Sequence, residues 1–270
     1  MQGYGMPGMM PMAAPMASPM MAAPMAAPVA AAPMMASPMM AAPMAAPMAG
    51  ASRAPTFCIW QLQPIQGCWM GAVQCCYQMA PQVRTAWWYP LLMQIPIDQY
   101  NRICSWFMSV DKERSGTLEI NELMMGQFPG GIRLNQSTAL RFMRIFDTDY
   151  NGRISFYEFM AMYKFMELSY NLFVYHDTNR SGTMEPHEIV PALQQLGFYV
   201  QPRTGAALHR LFAYGATMCD INCWIAICAF AAQTRTSYQL IFSNPYYGAM
   251  KPFNPMEFGK FLDVATALLE

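Results

Sequence analysis

Residues 147–158 read DTDYNGRISFYE, with oxygen-bearing side chains at the first, third, fifth, ninth and twelfth positions: Asp147, Asp149, Asn151, Ser155 and Glu158. A glycine, Gly152, stands sixth and an isoleucine, Ile154, eighth. A hard divalent cation takes six to eight oxygens at short range, and this spacing winds a loop around one between two helices. Asp147, Asp149 and Asn151 supply side-chain oxygens, Arg153 its backbone carbonyl, Ser155 a water-mediated contact and Glu158 both carboxylate oxygens. Gly152 permits the left-handed turn. Ile154 is placed to pair with its counterpart in a neighbouring loop.

The same template recurs twice. In DKERSGTLEINE, residues 111–122, Asp111, Glu113 and Ser115 hold the first three ligand positions, Thr117 the carbonyl position and Glu122 the last. Glu113 is one methylene longer than the usual aspartate and crowds the ion, so this is the first of the three sites to doubt on size. In DTNRSGTMEPHE, residues 177–188, the set is Asp177, Asn179, Ser181, Thr183 and Glu188. Three copies on one template exclude coincidence and define a repeat.

The loops begin at 111, 147 and 177, so the intervals are 36 and then 30 residues. The shorter interval leaves no room for a linker. SFYEFMAMYKFMELSYNLFVYHD has no proline or glycine and is dense in apolar residues (Phe156, Phe159, Met160, Tyr163, Met166, Leu172, Phe173). It is therefore expected to be one helix shared by two hands. Continuing the alternation reaches YGATMCDINCWI, residues 214–225, where Ile221 falls eighth and no carboxylate stands first, third or twelfth. That is a hand by spacing that should not bind calcium. A further step reaches a longer, proline-bearing loop from Ser243, with Glu257-Phe258 opening the outgoing helix and a shared helix over roughly 223–242.

Five hands at long–short–long–short spacing behind an uncharged low-complexity tail resemble the penta-EF-hand family, over about residues 88–270. The resemblance implies an all-α fold of five helix–loop–helix EF-hands with short β contacts between paired loops. It also implies a calcium-responsive adaptor that dimerises, with itself or with a related chain, through the unpaired fifth hand. We divide the chain into a Met/Ala/Pro tail (1–55), an uncharged aromatic and cysteine-rich segment (56–83) and the five-hand domain (84–270).

The 16 basic and 16 acidic residues balance, and no basic stripe or RNA-binding box is present, so nucleic acid is not an expected partner. Arg53 is the single charge in the first 83 residues. Proline every four or five residues forbids a helix there longer than a turn or so, so the tail reads as disordered polyproline-II chain, and neither as a membrane span nor as a signal peptide. Gln2, not glycine, follows Met1, which removes N-myristoylation. The tail reads either as an inert spacer or as a sticky, methionine-rich surface. The segment containing Trp60 and Trp69 either lies at a membrane interface or folds back on the hands, and a chain starting at Val83 is expected to fold without it.

The eight cysteines carry no secretory signal and are expected to be reduced in a cytoplasmic protein. Cys219, Cys223 and Cys228 lack zinc-site spacing and read as core, while Cys75-Cys76 offers a weak palmitoylation signal. His176, His187 and His209 form no catalytic set, so no enzyme activity is expected. Beside the calcium-dependent adaptor stand two rivals: a constitutive membrane or cytoskeletal anchor with structural calcium, and the regulatory subunit of a calpain-like protease.

Overall fold

The computed structural model describes residues 58–72, 77–126, 128–213, 218–242 and 253–269. The Met/Ala/Pro tail, Cys75-Cys76, the first part of the fourth loop and the fifth loop with Pro245 and Pro252 lie outside the described residues.

Helices flank each loop in turn. The first lies between α1 (Ile97–Val110) and α2 (Ile120–Met125), and the second between α3 (Gln136–Phe146) and α4 (Phe156–His176). The third lies between α4 and α5 (Pro186–Leu196), the fourth between α6 (Pro202–Phe212) and α7 (Ile221–Phe242), and the fifth between α7 and α8 (Pro255–Ala267). Each of the first three loops begins where a helix stops, with Asp111, Asp147 and Asp177 as the C-cap residues of α1, α3 and α4. On α1 the buried positions Tyr100, Ile103, Phe107 and Val110 recur at helical spacing. The shared helix α4 is continuous, and all seven apolar residues that marked it in the sequence are buried. It is apolar on every side because it runs through the core.

Two short antiparallel pairings tie the loops together. In β1 (Thr117–Leu118) and β2 (Ile154–Ser155), Leu118 faces Ile154. In β3 (Thr183–Met184) and β4 (Cys219–Asp220), Met184 faces Cys219. The first pairing is the eighth-position contact expected of Ile154. The second corrects the register of the fourth hand: Cys219, not Ile221, holds the eighth-position role. The cause is length. From the C-caps Asp111, Asp147 and Asp177 to the paired residues Leu118, Ile154 and Met184 is always seven residues, but from Ala213, the C-cap of α6, to Cys219 is six. A loop without ligand residues gives no mark to count from. Position twelve then falls on Cys223, so this hand closes on a thiol where the others have a glutamate. Cys219, Cys223 and Cys228 are buried free thiols, as core packing expects.

The segment before α1 folds back on the hands in four 3-10 turns, Ile59–Gln61, Trp69–Gly71, Pro81–Thr85 and Tyr89–Gln94. Prolines near the start of the last two suit a first helical turn, where no amide is needed. Ile59, Trp69, Val83, Trp88, Leu91, Leu92 and Ile95 all belong to the main core. Each buried indole finds a partner: Trp69 Nε1 donates to Leu92 O (2.9 Å), Trp88 Nε1 to Ile145 O (3.0 Å) and Trp87 Nε1 to Thr236 Oγ1 (2.9 Å). Gln239 Nε2 donates to Thr85 O at 3.0 Å. Residues 85–88 therefore strap the end of α3, just before the second loop, to the last turns of α7. Among the described residues, no helix is long and apolar enough to cross a membrane.

The outgoing helix of the fifth hand, α8, is seated by Gly259. A Cβ there would stand 2.1 Å from the Tyr199 carbonyl oxygen, a backbone atom that cannot swing aside. On an open helix face Gly→Ala gains roughly 1 kcal/mol. Here we expect Gly259→Ala to lose about 1–3 kcal/mol by overpacking, read as a lower urea midpoint. A raised midpoint would show that α8 is not held against Tyr199.

Candidate metal centres

All three loops share one backbone. The fourth-position residues Arg114, Tyr150 and Arg180 have φ of 53°, 58° and 55°, and Gly116, Gly152 and Gly182 at position six each have φ 76°. Sequence reading found the glycines but not the left-handed residue at position four. Its signal was present only as the same offset in three copies, on residue types that rarely adopt it. The first-position aspartates then collect amides. Asp147 Oδ2 accepts from Gly152 N (2.9 Å) and Oδ1 from Asn151 N (3.1 Å); Asp111 and Asp177 accept from the corresponding amides at 2.8–2.9 Å. Amides turned inward on the aspartate hold the curl of each loop.

The twelfth-position glutamates each open a helix. Glu122, Glu158 and Glu188 stand at the third residue of α2, α4 and α5 and reach back to the backbone amides of Glu119, Ser155 and Glu185, at 3.0, 2.9 and 2.9 Å. These are capping boxes, so the side chain that the sequence template places last in each candidate metal shell is also the one that starts the helix. Arg153 leans across to Thr117 Oγ1 (3.5 Å) and to the Glu119 carboxylate, joining the first and second loops beside the β1–β2 pairing.

The second loop is assembled furthest. Asp147, Asp149 and Glu158 bring carboxylate oxygens within 4.8 Å of one another, the one such group of three acidic, histidine or cysteine side chains among the described residues. Burial pushes the Asp147 carboxyl above its ordinary range, and its bond with Asp149 and the charge of Glu158 push it further. Three converging carboxylates in an all-oxygen set suit a hard cation, so the residues fit calcium. The set would be held by Asp147, Asp149, Asn151, the Arg153 carbonyl and Glu158. In the first loop Glu113 is exposed and is not gathered with Asp111 and Glu122 at that distance, in keeping with its extra methylene. The third loop has carboxylates only at Asp177, Glu185 and Glu188, with Asn179 and Ser181 between.

Helix–loop–helix units with these oxygen sets, coupled in pairs through their loops, define a calcium-binding EF-hand protein. The sequence family described as an EF-hand domain pair matches residues 100–164, the first two hands. Over 154 residues the chain is 36% identical to penta-EF hand domain-containing protein 2 of Dictyostelium discoideum, covering 57% of this chain and 74% of that protein. It belongs to the penta-EF-hand family. Mouse peflin is 33% identical over 127 residues, 46% of each chain, so the match spans less than half of that relative. A solved structure of a homolog of programmed cell death 6 protein from Leishmania major aligns over 62% of this chain and 88% of its own. At 21% identity and a TM-score of 0.43, that likeness is too slight to add to the assignment.

Proposed function

We propose that the protein is a non-enzymatic, calcium-responsive adaptor of the cytoplasm, holding ions in its first three loops and pairing through its fifth hand. The observation that carries this reading is the fifth hand's divided apolar surface. Tyr238, Phe258 and Leu262 are buried within the chain, whereas Leu240, Ile241, Phe242, Val264, Leu268 and Leu269 are exposed. Val264 is 60% and Leu268 82% accessible. Val264 on α8 and Leu268, the C-cap of that helix, lie four residues apart and share a face with half-buried Phe261. Among the described residues, hands one and two close on each other through β1–β2, and three and four through β3–β4, which supports the fifth hand as the one that pairs between chains. A two-fold contact between identical hands closes at a dimer. Another penta-EF-hand chain would use the same face.

Calcium enters this reading through α4 and α7, each of which serves two hands. A change at loop two or three acts on the helix it shares, and so on the surfaces available to a protein partner. Such a response needs better-formed sites in one state than in the other.

Phe261 packs on Tyr238 and Phe242 within its own chain (ring centroids 5.5 and 6.4 Å), so replacing it risks the hand itself. Val264→Asp is the cleaner test. We expect light scattering of the wild-type chain to give a dimer and Val264→Asp to give a monomer with unchanged helical circular dichroism. A wild-type monomer with and without calcium would sink self-pairing, leaving only pairing with a related chain.

A further inference from the structure

The three loops differ in how firmly they hold their last ligand. Glu158 is 2% exposed, and four donors hold it. Ser155 N (2.9 Å) and Ser155 Oγ (2.8 Å) donate to Oε2, and Thr148 N (2.8 Å) and Thr148 Oγ1 (2.7 Å) donate to Oε1. In the first loop Glu122 has only the Glu119 amide on Oε2 (3.0 Å) and the Lys112 amide on Oε1 at 3.3 Å. In the third loop Glu188 has the Glu185 amide at 2.9 Å, while the amide of Thr178, at the position matching Thr148, turns to the His176 carbonyl at 2.8 Å. The residue type is therefore not sufficient: Thr178 is a threonine and does not reach the glutamate.

We infer that Thr148 is a positioning residue that clamps Glu158 and makes the second loop selective for calcium over magnesium. This inference rests on the reading of the second loop as a calcium site. Two donors on each oxygen fix the plane of the carboxylate, and turning it would break bonds on both sides. Calcium accepts six to eight oxygens in loose geometry, including both oxygens of one carboxylate. Magnesium demands a small, near-octahedral shell, which a glutamate meets by turning to offer a single oxygen. A carboxylate that cannot turn suits the first ion and resists the second. The hydroxyl of Thr148 makes the shortest of the four bonds, and it donates to a charged acceptor, where hydrogen bonds are strongest. The first and third loops lack the hydroxyl donors: Glu122 has one amide on each oxygen and Glu188 the Glu185 amide, so both turn more readily than Glu158 to serve either ion.

The test uses the full chain with Glu122→Ala and Glu188→Ala, so that only the second loop titrates. Calcium and magnesium dissociation constants are measured by calorimetry for this background and with Thr148→Val or Thr148→Ser added. Valine keeps the shape and the backbone amide and removes only the hydroxyl. We expect the ratio of magnesium to calcium dissociation constants to fall about tenfold in Thr148→Val, the worth of one charge-assisted hydrogen bond, and to recover in Thr148→Ser. In chelator, with no metal bound, the amides of Thr148 and Ser155 should exchange faster in Thr148→Val than in its parent. An unchanged ratio, or equal weakening for both ions, in a variant with normal circular dichroism would overturn the inference. Calcium binding that survives Glu158→Ala unaltered in the same background would instead overturn the underlying assignment of the loop.

Discussion

A chain that begins at Val83 should lose cooperative melting, whereas one that begins at Thr56 should melt like the full protein. The cut removes Trp69, which stacks on Tyr100 at 5.2 Å, and Tyr77, whose ring lies 4.7 Å from Phe156 and 5.9 Å from Phe107. It also removes Ile59 and the Tyr77 carbonyl that accepts from Tyr157 Oη at 2.9 Å. Each large apolar side chain is worth roughly 1.5–3 kcal/mol when buried, and the surfaces of Tyr100, Phe156 and Leu92 beneath them would be left bare as well. The loss is on the order of a domain's whole stability of about 5–15 kcal/mol. We therefore propose that the folding unit starts near residue 58, not at 84. Circular dichroism against temperature and urea decides it: a Val83 chain with the full-length midpoint would return the segment to the status of an accessory.

The second large effect is expected from the glutamates. Glu158→Ala should remove one calcium ion from the calorimetric stoichiometry, and Glu158→Ala with Glu188→Ala should remove two. An ion present at a thousand times its dissociation constant stabilises the fold by about 4 kcal/mol, so the rise in melting temperature on adding calcium should shrink with each variant. Glu158→Ala also strips the capping box from α4 and leaves Thr148 and Ser155 without their acceptor, which costs a further ~1 kcal/mol in the metal-free chain. Full stoichiometry in the double variant would refute the ligand assignment.

The loops were legible because their chemistry is local: six positions in twelve residues mark the candidate ligands, and the interval between copies names the shared helix. What followed from counting alone was less secure. The fourth hand was displaced by two positions: with no aspartate to mark the start, the count began at 214, one residue past the C-cap Ala213, and the span from that cap to the paired residue Cys219 is itself one residue short. The role of residues 56–83 was left between a membrane interface and a fold back on the hands, because it depends on tertiary contacts, such as those of Trp69 and Tyr77 with Tyr100, Phe107 and Phe156, which no local pattern of glutamines, tryptophans and prolines encodes. The fifth hand's apolar stripe was visible, but not its division. Phe258 and Leu262 turn inward while Val264 and Leu268 turn out, a distinction made by α6, α7 and the Tyr199 carbonyl against Gly259. Within the site, four donors converge on Glu158 and fewer on its counterparts, although a threonine occupies the second position of two loops.

The unbroken α4 has a consequence for how such a chain can change over time. Its 21 residues carry β2 at one end and β3 near the other, each already married to a partner strand. An α-helix turns about 100° per residue, so inserting or deleting one residue in α4 would rotate the third loop away from the fourth while the second stayed with the first. Two residues would leave it about 160° out of phase and three about 60°, and a seven-residue change would restore the phase only by displacing the loops about 10 Å apart. Substitutions can accumulate along this helix, but its length is quantised by the two pairings at its ends. Lineages of this architecture should therefore vary in their tails and in the fifth loop, and keep the separation of the second and third loops to the residue.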